Sequence, residues 1–136
     1  MTYALDTNIV SFMLKRNRGI IDAFRTANNE GHEFIIPTAV YYEIRRGLLA
    51  VNAVAQIQAF EHLCSSIDVS IMDINSWEKA AQIWAKLRLN GVLLGRDDGD
   101  IFIAAQCIIN RYILVTDNIR DFNRIDGLEF VTWVKT

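Results

Sequence analysis

Tyr3-Ala4-Leu5-Asp6-Thr7-Asn8-Ile9-Val10-Ser11-Phe12-Met13-Leu14 contains the unit from which the rest of the chain is assembled. Tyr3 to Leu5 is a short apolar run and Asp6-Thr7-Asn8 a polar corner, after which Ile9, Val10, Phe12, Met13 and Leu14 fall at helical spacing. Strand, polar corner and helix then recur. His32 to Ile36 is a compact strand stopped by Pro37, which cannot donate to a ladder, and Thr38 caps a helix from Ala39 to about Ala50. Ile67 to Met72 alternates like a strand. Ser76-Trp77-Glu78-Lys79 opens a long amphipathic helix whose stripe of Trp77, Ala80, Ile83, Trp84 and Leu87 is expected to pack inside, with Gly91 as its stop. Tyr112 to Val115 is an all-apolar strand ending at Thr116-Asp117-Asn118, a short turn passes through Asp121-Phe122, and Leu128 to Trp133 forms a last strand. Helices fit Ile20 to Asn29 and Ala53 to Leu63. The stretch Ile101 to Ile109 is apolar on most sides and so belongs in the interior. Strands alternating with helices predict an α/β fold with a largely parallel central sheet.

The 136 residues fit one domain spanning 1–136, and 51% hydrophobic against 22% charged residues, with one Pro and seven Gly, describe a packed globular chain. Fourteen basic and sixteen acidic side chains give a formal charge of −2, so broad phosphate attraction is excluded and any nucleic-acid contact must be local. Cys64 and Cys107 lie far apart without zinc-type spacing, which excludes a disulfide framework and a zinc knuckle. No apolar run has signal-peptide or bilayer length, so the expectation is a cytoplasmic protein with no membrane partner.

In open α/β sheets, sites collect at the carboxyl ends of the strands. Asp6 follows the first strand, Asp117 follows the Tyr112 strand, Asp100 opens the buried helix, and Glu43 lies one and a half turns into the Ala39 helix. Singly, each has a plain structural role: Asp6 and Asp100 as helix caps, Asp117 as a turn former, Glu43 as a solvated acid. Together they point elsewhere. Carboxylates gathered at one sheet edge repel one another and raise one another's pKa, an arrangement that persists when a cation lies between them. Oxygen ligands without Cys or His select Mg²⁺ or Mn²⁺, and such a site suits phosphodiester hydrolysis. Other chemistries have less support. His32 and His62 accompany no nucleophile turn, and Gly95 with Gly99 forms no phosphate-cradling glycine pattern. Trp77 and Trp84 read as core and not as a base-stacking platform, while Arg45, Arg46, Arg96 and Arg120 could rim an acidic crevice where a phosphate backbone lies.

Leu5-Asp6-Thr7-Asn8-Ile9, Glu43 with Ile44 and Gly47, Asp100-Ile101-Phe102-Ile103-Ala104-Ala105, and Leu114-Val115-Thr116-Asp117-Asn118 followed by Asp121-Phe122 and Trp133 resemble the PIN-domain family, and within it the VapC-type toxins of toxin–antitoxin pairs. The resemblance covers essentially the whole chain. It implies a three-layer α/β/α sandwich, an Mg²⁺-dependent endoribonuclease in which Mn²⁺ substitutes, inhibition by a VapB-type antitoxin, and homodimerisation. By position, Asp6 and Asp100 match the metal-ligating acids, Glu43 the second acid of the quartet, and Thr116 the hydroxyl that orients the pocket. The pattern departs at Asn118, where some relatives carry Asp, so the fourth acid is sought at Asp117 or Asp121. If Thr116 and Asn118 share the crevice face by the alternation of extended chain, Asp117 points away. Asp121 is then favoured, with Asn118 as a neutral hydrogen-bonding or ligand oxygen. Other readings are a catalytically inactive PIN-like binding module and an RNA-processing nuclease without an antitoxin.

Overall fold

The structure is a computed structural model that describes residues 1–92 and 97–135. Gly95 and Arg96, at the start of the polar loop, lie outside the described residues. The elements run β1 (Thr2–Leu5), α1 (Thr7–Leu14), α2 (Arg18–Asn29), β2 (Glu33–Pro37), α3 (Thr38–Ala50), α4 (Val54–Ser66), β3 (Asp68–Ser70), α5 (Ile74–Leu89), α6 (Gly99–Asn110), β4 (Ile113–Val115), α7 (Ile119–Phe122) and β5 (Phe130–Val131). The strands form one sheet in the order β3-β2-β1-β4-β5, and every pair is parallel. Helices flank it, as the α/β/α expectation requires.

Parallel strands all end on one edge, so the corners after β1, β2 and β4 face the same way. The chain steps outward from β1 through β2 to β3 and then returns to place β4 on the other side of β1. That reversal makes the β1/β4 junction the switch point of the sheet, where a crevice opens beyond the strand ends. Leu5 pairs with Val115 across it, and Asp6 N–H extends the ladder by donating to Val115 O at 3.0 Å. Ala4, Leu5, Leu114 and Val115 are fully buried, as are Ile103, Ala104, Ala105 and Cys107 of α6, which fixes that helix against the core. Among the described residues no helix is long and apolar enough to cross a membrane.

Local chemistry moves several expected features. Thr38 does not cap α3 with its side chain; Pro37 holds the cap position. The Thr38 hydroxyl donates to Ser70 O and accepts from Met72 N–H, tying α3 to the end of β3. Pro37 itself closes β2, paired with Ser70, where a last residue needs no further donor. Helix α5 begins at Ile74 because Asp73 accepts from Ser76 N–H at 2.9 Å, so Ser76 sits inside the first turn. Asp100 likewise lies within the first turn of α6, after Asp98 at the cap. The last strand shrinks to Phe130 and Val131. Trp77 and Trp84 are not core residues: they remain 46% and 42% exposed, because the face of α5 that meets the interior is carried by Ala80, Ile83 and Leu87.

Candidate active site

Asp6 is the most constrained acid in the molecule. It is 3% exposed, held at the end of β1 by the sheet and at the start of α1 as its N-cap. Thr7 N–H donates to Asp6 Oδ1 at 2.8 Å, and the Thr116 hydroxyl, at the end of β4, donates to Oδ2 at 2.6 Å. Thr116 is in turn oriented by Asn118 N–H at 2.9 Å, so the neighbouring strand aims its hydroxyl at Asp6. Asp6 is therefore both the cap and a member of the cluster.

The other acids arrive from three helices. Glu43, half-buried on α3, accepts the Thr7 hydroxyl at Oε2, 2.8 Å away, and Thr7 thus engages Asp6 and Glu43 at once. The start of α6 passes directly beneath Glu43: a Cβ on Gly99 would collide with Glu43 Oε1. Asp100, one residue on, shares the Asn118 amide with Asp121 of α7; Asn118 Nδ2 donates to Asp100 Oδ2 at 3.3 Å and to Asp121 Oδ2 at 3.2 Å. Asp121 is held there by fully buried Phe122. Asp117 is exposed, and only its backbone N–H turns inward, to Asn8 Oδ1 at 3.3 Å. The structure thus brings together Asp6, Glu43, Asp100, Thr116, Asn118 and Asp121, and leaves the Asp117 side chain outside.

Burial, with charge crowding behind it, shows in the protonation of two of these groups. Burial pushes the Asp6 carboxyl up to about 6, opposed by its Thr116 and Thr7 donors and reinforced by the charge of Glu43. Burial also pushes Asp100 up to about 6, with Asp6, Glu43, Asp121 and Asp97 adding repulsion in that order. Among the described residues none of the four acids forms an ion pair. Cys107, packed in the interior behind Asp6, is kept a neutral thiol by its burial.

Hard oxygens gathered without imidazole or thiolate match the ligand chemistry of Mg²⁺ or Mn²⁺. Asp6 and Asp100 are the residues that would hold such an ion. Their oxygens are engaged by Thr7, Thr116 and Asn118 and do not converge on a point: among the described residues no three His, Cys, Asp or Glu side chains are already arranged as a metal-binding group.

The cationic rim is smaller than the sequence suggests. Arg45 is drawn away to Glu61 of α4 at 3.0 Å. Arg46 stays beside the cluster, stacked 5.1 Å over Tyr42 and 3.4 Å from Asp97, while Arg120 is exposed on α7. His32 lies 3.5 Å from Glu30 and against the edge of Tyr3, and His62 is exposed on α4, both remote from the acids. Sequence reasoning missed Thr7 and Gly99. Thr7 carried a signal, a hydroxyl directly after the acid at a strand-to-helix corner; Gly99 carried none, since its role depends on where Glu43 lands.

Residues 3–128 match the sequence profile of the PIN domain. Ribonuclease VapC2 of Haemophilus influenzae strain Rd is 30% identical over 98% of this chain and 99% of its own. The crystal structure of VapBC-1 from nontypeable Haemophilus influenzae superposes with a TM-score of 0.83 at 26% identity, covering 99% of this chain and 100% of that one. VapBC2 of Rickettsia felis, bound to a DNA fragment from its promoter, shares the fold with a TM-score of 0.88 at 23% identity over 98% of this chain and 100% of that one.

Proposed function

The chain belongs to the PIN-domain family, and from that premise we propose that it is a VapC-type toxin, a metal-dependent endoribonuclease restrained by a VapB-type antitoxin. The observation that carries this reading is the gathering of Asp6, Glu43, Asp100 and Asp121 at the switch point of the sheet, with two carboxyls pushed up to about 6. Proteins do not assemble unpaired, partly buried carboxylates without cost, and a cation shared between them offsets it.

Asp6 and Asp100 hold the ion in this reading, and Thr116 and Asn118 keep their carboxylates aimed. Bound there, Mg²⁺ or Mn²⁺ would polarise a phosphoryl oxygen and stabilise the charge that builds on it. Glu43, fixed by Thr7, and Asp121, fixed by Asn118, orient a water, and one of the two carboxylates takes one proton from it as it attacks phosphorus. The new P–O bond forms as the bond to the leaving oxygen breaks, that oxygen takes a proton from solvent, and no protein nucleophile is used. A cytoplasmic setting, where RNA is the available polymer, follows from the same reading.

The similarity to VapBC assemblies supports an antitoxin as partner, and a homodimer is the expected state of the toxin alone, tested by light scattering. The decisive experiment is cleavage of a mixed RNA pool by the purified protein with Mg²⁺ and with EDTA. Cleavage lost in EDTA and restored by Mg²⁺ or Mn²⁺ is the expected result; cleavage indifferent to chelation would overturn the assignment.

A further inference from the structure

Two side chains outside the acid cluster meet at one atom. Ser70 ends β3 opposite Pro37, which has no N–H, and its carbonyl oxygen receives both the Thr38 hydroxyl at 3.1 Å and the Gln106 amide at 2.7 Å. Thr38 opens α3, five residues before Glu43, and Gln106 lies in α6, six residues after Asp100. The two helices touch where Glu43 packs against Gly99, yet among the described residues no hydrogen bond joins α3 to α6 directly; Arg46 reaches only Asp97, which precedes α6. Their link runs through Ser70. The node is itself held: Ser70 Oγ lies 3.1 Å from Gln106 Nε2 and 3.0 Å from the Tyr112 hydroxyl, and the Thr38 hydroxyl accepts Met72 N–H at 3.0 Å.

We infer that Gln106 and Thr38 are positioning residues for the proposed reaction: by sharing the Ser70 carbonyl they set α3 against α6 along their lengths, and so fix the gap between Glu43 and Asp100. The inference rests on the ribonuclease reading, in which Asp100 holds the ion, Glu43 orients the attacking water, and the phosphate fits between them. Gln106 is the main support. It is fully buried, and its Oε1 has no partner among the described residues. An unmet buried acceptor costs about as much as the amide's donor bonds return, and a thioether of similar length would fill the space without that cost, so the amide adds direction more than stability. Apolar packing is non-directional, whereas a hydrogen bond is satisfied only within a narrow range of distance and angle. A helix transmits such a constraint. Gln106 stands about 9 Å along α6 from Asp100, and a misplacement of about 1 Å at reacting groups is enough to cost about 100-fold in rate.

The test compares Gln106→Met and Thr38→Val, each of which removes one donor, with the double variant and with Thr38→Ser, which keeps the hydroxyl. With saturating Mg²⁺, each single loss should lower kcat for RNA cleavage about tenfold while KM stays within about twofold, since the gap between the acids and not the grip on RNA is disturbed. Once either donor is gone the helices are no longer tied, so the double variant should be no more than about twofold worse than the less active single variant, and Thr38→Ser should stay near wild type. In a Glu43→Gln background Gln106→Met should have no further effect, whereas a merely structural role would carry the same loss into that background. If Thr38→Val does not fold, having also stripped Met72 N–H of its acceptor, the Glu43→Gln cycle decides alone. A second readout needs no turnover: with metal chelated, the carboxyl carbon resonances of Glu43 and Asp100 should move in Gln106→Met while that of Asp22, on α2, stays in place. Unmoved resonances in Gln106→Met, or losses that multiply in the double variant and persist in the Glu43→Gln background, overturn the inference. Cleavage by the wild type separates the positioning role from the nuclease reading. A wild type that never cuts RNA but whose resonances move with Gln106→Met keeps the first and loses the second; one that cuts, with Gln106→Met cutting equally well and its resonances in place, does the reverse.

Discussion

The Asp6 corner and the Glu43–Gly99 wall face each other across the same crevice and are built in opposite ways. Asp6 sits where two central strands end, 3% exposed, with a donor on each oxygen and its backbone inside the ladder. Glu43 stands on a helix, half-buried, held by one hydroxyl and by the absence of a side chain on Gly99. The first position is fixed by the sheet and cannot adjust without disturbing the core. The second is fixed by two small contacts and can move. Fixed charge on one side and adjustable charge on the other suits the proposed site, in which a cation would be held firmly while a phosphate and a water are admitted.

Removing charge from the two proposed metal ligands should have the largest effect. Asp6→Asn and Asp100→Asn should each lower RNA cleavage by about 10²-fold or more, since changes one shell further out already cost about 10- to 100-fold. Neither should lower the melting temperature at pH 7, because each relieves repulsion and leaves packing in place. Asp6→Asn active at the wild-type rate would show that the rigid corner is only a helix cap.

Next in size is the response to pH and metal. In the fold Asp6 and Asp100 titrate at about 6, whereas an unfolded chain gives an Asp about 4. Between those values the folded protein binds more protons than the unfolded one, so stability falls as pH rises from about 4 through 6 and stays lowered above it. For Asp6 alone the shift from 3.8 to about 6 corresponds to roughly 3 kcal/mol, the less buried Asp100 adding a smaller amount. Mg²⁺ at about 100 times its dissociation constant should restore about 2.7 kcal/mol at pH 7.5, a rise in melting temperature of roughly 8 °C. Near pH 5, where both carboxyls hold protons, the rise should largely vanish. Thermal melts across that grid, with chelator as reference, check it; equal shifts at both pH values would place the cation elsewhere.

The adjustable side is tested by Gly99→Ala. The added methyl group displaces the Glu43 carboxylate from its contact with Thr7, and because the displaced group is the end of a flexible side chain the fold should survive. Cleavage should fall about 10- to 100-fold with metal-induced stabilisation nearly intact. Loss of metal binding in this variant would show that the two sides are one rigid unit.

What was legible in the sequence follows the same division. The Asp6 corner is written in local order, since an apolar run, an acid and a helical repeat lie within one stretch. Asp100 and Thr116 were readable for the same reason, each at the junction of a corner with a buried element. The tryptophans of α5 were misplaced because a helical stripe states which residues share a face but not how far round the helix the core extends. Ala80, Ile83 and Leu87 fill the interior and leave Trp77 and Trp84 at its margins. Thr38 was misassigned as a cap because its partners, Ser70 and Met72, come from a distant segment. Gly99 was invisible on the same ground: only the meeting of α3 and α6 gives that glycine a purpose.

The smallest expected effect concerns the two acids that follow β4. Alternation in extended chain puts Thr116 and Asn118 on one face and Asp117 on the other, and the structure retains that relation past the strand end: Thr116 and Asn118 both reach inward while Asp117 is exposed. One helical turn then carries Asp121 back, and buried Phe122 holds the turn in place. Asn118 joins the two sides chemically, since its amide donates to Asp100 and Asp121 together and lets two like charges share one donor. Asp121→Asn removes one acceptor and one of the charges pressing on Asp100, so Asp100 should titrate lower and cleavage should fall about tenfold. Asp117→Asn touches neither, and its activity should stay within about twofold of wild type, as for most exposed substitutions. Measured side by side under single-turnover conditions, the two variants rank the acids directly. The reverse order would mean that the corner after β4 turns over when substrate binds, and would move the adjustable region of the site from α3 to the β4–α7 junction.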